Sequence, residues 1–333
     1  MPGTFAHMLI FEDIIAELEK DKDCEDLVKL LKENKNYGTL GSIGPDLPYF
    51  ESVTSTLYFL VTSGTDEPFH LEKWAGQMHS KDPNVLPLKM IEIAWKENDF
   101  NVPGWDAISR RQWAFIIGFL THIAADQVIH PYINSIAGQI YRSKESRLKH
   151  GECETYQDVV LYNKKKSGRI KDEKLKNWID VSVRSKRTDP FFSVFFQKAF
   201  IDAHGVCPSY WEIKNWFLGL STVFYFFGLY GRHMDAEKDF RNKNEDSPKY
   251  KEFWLKNNKS GNKSYMDYYH DAVELAAIYA KAANKLYKMN HSQFEDPQRR
   301  MFLEIVKNAD LTNPLDTNIL EGARKAYTKH FGR

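Results

Sequence analysis

Three potential metal ligands, His122, Asp126 and His130, recur in this chain at a spacing of four. Each residue of an α-helix turns by about 100°, so a step of four drifts by only about 40°. The three side chains therefore lie one above another on a single helical face, within an arc of about 80°. This spacing limits how the chain can fold, because the face that carries them needs partners for all three.

The sequence before these ligands predicts that their helix is buried. Residues 113–120 are apolar almost all round, which is typical of a helix inside a protein. We expect the helix to run from about Asp106 to His130. It should end before Pro131, because a proline disfavours helical backbone in the residue that precedes it.

Two imidazoles and a carboxylate on a buried face must be satisfied, because an unpaired polar group inside a protein costs a few kcal/mol. A divalent metal ion would satisfy all three groups at once. The alternative is one buried histidine hydrogen-bonded to Asp126, with the second histidine at the surface.

Composition excludes several classes of protein. The chain has 333 residues, of which 42% are hydrophobic and 27% charged, as in an ordinary globular protein with a sizeable core. Its net charge of +1 gives no electrostatic case for binding nucleic acid. The cysteines, Cys24, Cys153 and Cys207, are too few and too far apart for a disulfide framework and favour a reducing compartment.

Two stretches bear on where the protein resides. Residues 1–23 lack the basic start of a signal peptide and acquire acidic residues early, so we expect a cytoplasmic protein. The most apolar run, residues 216–230, is shorter than the roughly 20 residues that a membrane-spanning helix needs. We therefore expect no transmembrane segment, and the sequence leaves the oligomeric state open.

The hydrophobic pattern predicts an all-α protein. We find no run of alternating apolar and polar residues bounded by hairpin turns. A loop rich in glycine and proline is expected over residues 37–50. Besides the central helix, the pattern predicts helices over 5–20, 24–34, 52–62, 70–79, 86–98, 133–162, 173–184, 190–203, 208–232, 265–289, 295–308 and 316–331.

A second pair of ligands, His150 and Glu154, has the spacing that lets two side chains chelate one ion from one helical face. Glu152 is a rival for the role of Glu154. Asp158 could orient His150 or Glu154 as an outer partner that does not itself bind the metal ion. Cys153 points roughly 100° away from Glu154 and is expected in the core. Taken alone, the segment fits a surface helix with acidic residues near its N-terminus more simply than a metal site.

Three further candidates stand alone in the sequence. His7 lies near the start of the chain, Asp46 lies in a segment stiffened by prolines, and His79 precedes a polar turn. His70 is a rival for His79. Each of these is more often structural than functional when seen singly, so only their order along the chain gives them weight.

Taken in order, these residues resemble the zinc-dependent phospholipase C superfamily, which also contains the zinc-dependent single-strand nucleases. That family uses a near-terminal histidine, a loop aspartate, a histidine followed closely by Asp-Pro, and then two ligand-bearing helices. The resemblance covers about residues 1–160. The matching residues are His7, Asp46, His79 before Asp82-Pro83, His122 with Asp126 and His130, and His150 with Glu154.

The resemblance implies an all-α, multi-helix bundle of the phospholipase C and nuclease type, with an additional helical C-terminal part. A metal-site core would span residues 1–162. Additional helices over residues 163–333 would pack on that core, as part of the same domain or beside it.

The resemblance also implies two or three zinc ions. Asp46 would act as general base toward the attacking water or share in the metal cluster. The family leaves five residues between the helix aspartate and the next histidine, whereas this chain leaves three, so His130 would need a differently wound helix end. The implied ligand sets are His79, His122 and Asp126 for one ion, His130, His150 and Glu154 for a second, and Asp126, His7 and the amine of the first residue for a third.

These expectations lead to a function. We expect a zinc-dependent hydrolase of a phosphate ester or phosphodiester, which attacks a lipid or small-molecule substrate with a metal-bridging water. The alternatives are another metal-dependent hydrolase or lyase acting on a small molecule, and a non-catalytic scaffold whose ions are fully coordinated by protein.

Overall fold

The computed structural model describes residues 3–51, 72–80, 82–96, 105–138, 143–170, 178–179, 190–222, 230–255, 262–289, 296–309, 311 and 318–332. Every regular element in these ranges is a helix, which confirms the all-α prediction. The helix predicted over 52–62, most of the one predicted over 173–184, and His70 lie outside the described residues.

The α-helices of the described ranges are numbered in chain order. They are α1 Thr4–Leu18, α2 Glu25–Glu33, α3 Lys35–Ser42, α4 Glu72–His79, α5 Val85–Lys96, α6 Trp105–Ala137, α7 Lys144–Lys166, α8 Pro190–His204, α9 Tyr210–Thr222, α10 Tyr230–Lys243, α11 Pro248–Phe253, α12 Tyr265–Lys288, α13 Asp296–Ile305 and α14 Ile319–Phe331. Short 3₁₀ helices span Lys22–Cys24, Gly44–Phe50 and Asn244–Asp246.

Helix α6 is the centre of the bundle. Helices α12 and α3 pack along it, and α1, α5 and α7 also contact it. Its stretch Ser109–Ala137 is long and apolar enough to cross a membrane, but the most apolar window of that stretch is 100% buried inside the protein. The burial identifies α6 as a core helix.

Glycines let α3 and α6 approach until their backbones touch. A Cβ added at Gly118 would lie 2.0 Å from the carbonyl oxygen of Gly38, and one added at Gly41 would lie 2.1 Å from that of Phe115. The loop predicted over residues 37–50 is therefore wrong, since the segment forms α3 and the 3₁₀ helix Gly44–Phe50. Packing against α6 outweighs the low helix propensity of glycine.

Four elements place candidate metal ligands next to the face of α6 that carries His122, Asp126 and His130. Helices α1 and α7 and the 3₁₀ helix Gly44–Phe50 contact α6, and α4 packs against that 3₁₀ helix. These elements carry His7 on α1, Asp46 on the 3₁₀ helix, His79 at the end of α4, and His150 with Glu154 on α7.

Pro131 lies inside α6, so the prediction that the helix ends before it is wrong. A proline inside a helix costs about 3 kcal/mol, because it removes one backbone hydrogen bond and its ring crowds the preceding turn. Tyr132, Ile133 and Ile136 follow it and are each at most 6% exposed. Burying such side chains contributes about 1.5–3 kcal/mol each, which together exceeds the cost of the proline. His130 therefore stays in the regular helical register.

The close approach of α3 and α6 predicts a stability difference between two glycine substitutions. Gly118→Ala should lower the free energy of unfolding by about 1–3 kcal/mol, because the new methyl group must push α3 away. Gly76→Ala, in α4, is the matched control, since nothing lies within 4 Å of its added Cβ. It should raise the free energy of unfolding by about 0.5–1 kcal/mol. Urea denaturation measures both, and equal effects would contradict the backbone contact.

Candidate metal centre

The carboxylate of Asp126 lies between two imidazoles of its own helix. Its Oδ2 is 3.3 Å from Nε2 of His122, and its Oδ1 is 3.9 Å from Nε2 of His130. All three side chains are at most 1% exposed. They share one helical face, as their spacing predicts, and each carboxylate oxygen faces one imidazole.

Asp46 and His79 complete a first group of donors around His122. Nε2 of His79 is 3.2 Å from Nε2 of His122 and 3.2 Å from Oδ1 of Asp46. The same oxygen of Asp46 is 3.8 Å from Nε2 of His122. Two ligands bound at about 2.0–2.1 Å to a tetrahedral zinc ion lie about 3.3 Å apart, so this spacing fits one ion.

A second group of donors lies where α6 and α7 meet. Nε2 of His150 is 2.9 Å from Oε1 of Glu154, and the rings of His130 and His150 meet edge to face with centroids 5.5 Å apart. One donor atom from each of these three residues lies within 4.8 Å of the other two. His130 thus reaches the ligand pair of α7 from an ordinary helical position.

His7 creates a third group with residues of α6. Its Nε2 is 3.4 Å from Oδ1 of Asp126, and its ring stacks on that of His122 with centroids 4.0 Å apart. One donor atom from each of His7, His122 and Asp126 likewise lies within 4.8 Å of the other two. The terminal amine that the resemblance implies as a ligand lies outside the described residues.

In three of the imidazoles, the nitrogen that faces away from the cluster, Nδ1, contacts a backbone carbonyl. Nδ1 of His79 lies 2.8 Å from the carbonyl oxygen of Ala75, and Nδ1 of His122 lies 2.9 Å from that of Ser42. Nδ1 of His130 makes the same contact with the carbonyl of Leu311. A proton on Nδ1 donates to each carbonyl, which leaves the lone pair of Nε2 directed at the cluster.

Burial determines the charge of most of these imidazoles. It lowers the pKa of His7 and of His130 well below the usual 6.5, and it also lowers the pKa of His150 although Glu154 opposes the shift. These rings are therefore neutral near pH 7, which is the form that binds a metal ion. Burial lowers the pKa of His122 too, but the charges of Asp126 and Asp46 outweigh it and raise that pKa above 6.5.

Several buried atoms that point into the cluster have no hydrogen-bond partner among the described residues. They are Nε2 of His7 and of His130, Oδ1 of Asp46 and both carboxylate oxygens of Asp126. Leaving such atoms unpaired costs a few kcal/mol each, and a bound cation removes that cost. Imidazole nitrogen with carboxylate oxygen suits zinc, whereas magnesium prefers oxygen ligands alone. The donor set therefore fits zinc.

A comparison with protein families agrees with this geometry. The model of the zinc-dependent phospholipase C family matches residues 6–204, which is more than half of the 333 residues. The chain belongs to this family. Membership implies zinc and supports a phospholipase-like hydrolase. A search of curated proteins and a search of solved structures each find no match.

The match to the zinc-dependent phospholipase C family includes all the donors described above and confirms the resemblance read from the sequence. It extends to residue 204, about 40 residues beyond the extent of about 1–160 that the motifs suggested. The division of the chain at residue 162 stays a prediction.

Two residues near Glu154 point away from the site because each residue of an α-helix is rotated by about 100° from the one before it. Glu152 forms an ion pair with Lys249 at 2.6 Å and its side chain is 48% exposed, so it faces solvent. Cys153 is fully buried, as predicted for a core residue. Glu154 is thus the acidic residue of this turn that faces His150.

Asp158 faces the start of α1 instead of His150 or Glu154. Its carboxylate accepts hydrogen bonds from the backbone N–H groups of Phe5 and Ala6, at 3.2 and 2.9 Å. The first N–H groups of a helix have no partner within the helix, so a carboxylate there satisfies them and interacts favourably with the helix dipole.

The cap on α1 comes from a distant part of the chain because its own N-cap residue is Gly3, which has no side chain to offer. A Cβ at Gly3 would lie 2.1 Å from Oδ2 of Asp158, so a larger residue would exclude the carboxylate. The contact fixes the first turn of α1, and His7 directly follows Ala6 in that helix. Asp158 therefore helps to position His7.

The carbonyls of Ala75, Ser42 and Leu311 could not be predicted from the sequence. Any residue type supplies a backbone carbonyl, so no residue pattern marks these positions. The packing of α3 on α6, which glycines permit, places the carbonyl of Ser42 beside His122.

Removal of the Asp158 carboxylate should affect both stability and the donor group of His7. We expect Asp158→Ala to lower the free energy of unfolding by about 2 kcal/mol, because two buried N–H groups lose their partner. Zinc bound per chain should fall as well. Glu152→Ala on the same helix is the control, and its exposed ion pair contributes at most about 1 kcal/mol. Urea denaturation and elemental analysis test this, and equal effects of the two variants would contradict it.

Zinc binding should release protons near neutral pH. The raised pKa of His122 keeps part of its imidazole protonated in the metal-free protein, and a zinc-bound imidazole has lost that proton. The part released by His122 should fall as the pH rises through the pKa of His122. His7 and His130 should contribute only at pH values well below 6.5, because their pKa values are lowered.

Titration calorimetry in buffers of different ionisation enthalpy measures the protons released on zinc binding. Equal proton release per bound zinc ion in the wild type and in His122→Ala near neutral pH would contradict the assignment to His122.

Proposed function

We propose that this chain is a zinc-dependent hydrolase of phosphate esters or phosphodiesters, with lipid phosphoesters as its first class of substrate. The observation that carries the proposal is the convergence of five separate elements on Asp126 and its neighbours. Three donor groups arise in this way, and each has the spacing of a metal site.

The three donor groups suggest a division of ligands among two or three ions. His122 belongs to two of the groups, and carboxylate oxygens of Asp126 lie 3.4 Å from His7, 3.8 Å from His79 and 3.9 Å from His130. Asp126 is therefore the ligand that neighbouring ions would share. The proposed ligands are Asp46, His79, His122 and Asp126 for the first ion, His130, His150 and Glu154 for the second, and His7 with Asp126 for the third.

Zinc, when bound, supplies a Lewis acid for the phosphoryl oxygens and lowers the pKa of a water molecule toward neutrality. The chain's own contribution is to orient the ligands and to handle protons. Asp46 is proposed as the general base that accepts a proton from the attacking water, or as a further ligand. Its Oδ1 lies within 3.2 Å of His79 and has no hydrogen-bond partner among the described residues, so it is available for either role.

Differences in exposure support an open, catalytic centre over a closed, structural one. The side chains of Asp46 and Glu154 are 8% and 16% exposed, whereas those of His7, His122 and Asp126 are 0% exposed. The exposed fractions thus lie on one carboxylate of the first group and one of the second. We propose that a phosphoester reaches both groups past these two residues, as two-metal hydrolysis requires.

The family supports a lipid phosphoester as substrate. The net charge of +1 gives no comparable support for a polyanionic substrate such as nucleic acid. We therefore propose that the substrate is a phospholipid or a small phosphodiester of similar chemistry.

The purified protein should contain zinc by elemental analysis and should hydrolyse a chromogenic phosphodiester or short-chain phospholipid micelles. A chelator should abolish the activity and added zinc should restore it. Hydrolysis that is unchanged in protein shown to be metal-free would refute the proposal.

Matched substitutions separate the proposed ligands from their neighbours. His122→Ala and Glu154→Gln should each reduce hydrolysis by more than about 100-fold, since loss of even an outer partner of a zinc ligand costs about 10–100-fold. His270→Ala and Glu152→Gln are the controls, because both side chains are exposed and lie outside the donor groups. Equal activity of the paired variants would contradict the assignment.

The second candidate function is a scaffold whose ions are purely structural. The complete burial of His7, His122 and Asp126 favours it, because structural zinc ions are enclosed by protein ligands. Inorganic phosphate distinguishes the two functions. A catalytic centre has a position open to phosphate, which should inhibit hydrolysis competitively, whereas a scaffold should bind zinc but show no hydrolysis to inhibit.

A further inference from the structure

A segment far beyond the family match lies against the metal centre. It follows α13 and comprises residues 306–309 and Leu311, which we call the C-terminal strap. The family match ends at residue 204, so this contact belongs to the part of the chain for which the family gives no role.

Side chains from two parts of the chain, the turn before α5 and helix α6, hold the strap in place. Asn84 at the start of α5 donates its amide to the carbonyl of Val306 at 2.8 Å, and Gln127 of α6 donates to that of Lys307 at 2.8 Å. From the strap itself, the side-chain amide of Asn308 donates to Oδ1 of Asp82 at 2.5 Å. These bonds fix the course of the backbone toward Leu311.

Leu311 contacts both halves of the metal centre through its backbone. Its N–H donates to the carbonyl oxygen of His79 at 2.8 Å, and its own carbonyl accepts from Nδ1 of His130. The residue is fully buried, so water does not compete for either bond. One peptide segment thus joins a residue of the first donor group to a residue of the second.

Gln127 is the anchor closest to the ligands, since it follows Asp126 directly in α6. Its side chain is fully buried, and its oxygen accepts a hydrogen bond from the hydroxyl of Tyr279 at 2.6 Å. That bond orients the amide so that its nitrogen faces the strap. Hydrogen bonds therefore connect Tyr279 of α12 through Gln127 to the strap.

We propose that Leu311 is a positioning residue for the metal centre, and that the C-terminal strap sets the affinity of the ion held by His130, His150 and Glu154. The carbonyl of Leu311 keeps the proton of His130 on Nδ1 and fixes the plane of the ring, so that Nε2 faces the ion. The proposal rests on the metal binding required by the proposed function, and it gives the C-terminal helices a part in that binding.

The test loosens the strap without touching a ligand. Gln127→Met preserves the size of the side chain and removes its bond to Lys307. Gln157→Met is the matched control, since Gln157 is also a buried glutamine whose amide donates to a backbone carbonyl, that of Phe253 at 2.9 Å. Zinc affinities are measured from metal-free protein by competition with a chromophoric chelator. Glu154→Gln removes a proposed ligand of the second group, so the zinc-binding step that it weakens is the step that belongs to that group.

We expect Gln127→Met to weaken the step identified by Glu154→Gln by about 10-fold, the lower end of what outer partners of zinc ligands contribute. The remaining steps should change by less than about 3-fold, and Gln157→Met should leave every step unchanged. Wild-type affinity in Gln127→Met would overturn the proposal. A parallel weakening of all steps in both glutamine variants would also overturn it, since that pattern would reflect general destabilisation.

A spectroscopic readout reports on His130 directly. In zinc-loaded protein labelled with ¹⁵N-histidine, the buried Nδ1–H of His130 should give a slowly exchanging, downfield proton signal that is absent from His130→Gln. Gln127→Met should shift this signal or speed its exchange with solvent, and Gln157→Met should not. An unchanged signal in Gln127→Met would overturn the proposed role of the strap.

The results also separate this inference from the proposed function. Wild-type protein that binds zinc but hydrolyses no phosphoester would refute the function alone. Zinc affinities that are equal in Gln127→Met and wild type would refute the role of the strap alone. Failure of the wild type to bind zinc would refute both.

Discussion

The carboxylate of Asp126 is the group on which the rest of the structure depends. It is fully buried, and imidazoles of His7, His122 and His130 approach it from different sides. Burying an isolated carboxylate costs far more than one hydrogen bond returns, so a chain that places it in the core must surround it with compensating groups. The bundle meets this requirement by directing donors from α1, α4 and α7 at one face of α6, where a shared cation would balance the charge.

Much of this centre follows from periodicity, and the limits of periodicity explain the errors. Spacings of four placed His122 with Asp126 and His150 with Glu154, because a regular helix fixes which side chains share a face. Pro131 and the glycines of α3 misled the prediction, since local propensity favours a break at both places. Tertiary packing prevails there, through the apolar residues that follow the proline and through the backbone contact between α3 and α6.

The distant donors show what sequence alone cannot supply. His7, Asp46 and His79 were assigned only through the resemblance to a family, because no local pattern says which isolated histidine or aspartate reaches a given helix. The carbonyls of Ser42 and Leu311 lay beyond even that resemblance, since every residue has one. The cytoplasmic location read from the N-terminus stays a prediction.

The enclosure of the donors has a consequence for how metal ions come and go. Ligands from several helices surround each proposed position, and most of them are closed to solvent. An ion held by the fully buried donors would leave when those helices separate locally, so its residence time would follow the rate of that opening as well as the strength of its bonds. Such a centre would retain whichever ion it captured while the chain was folding, and cellular metal supply at that moment would decide which ion the protein carries.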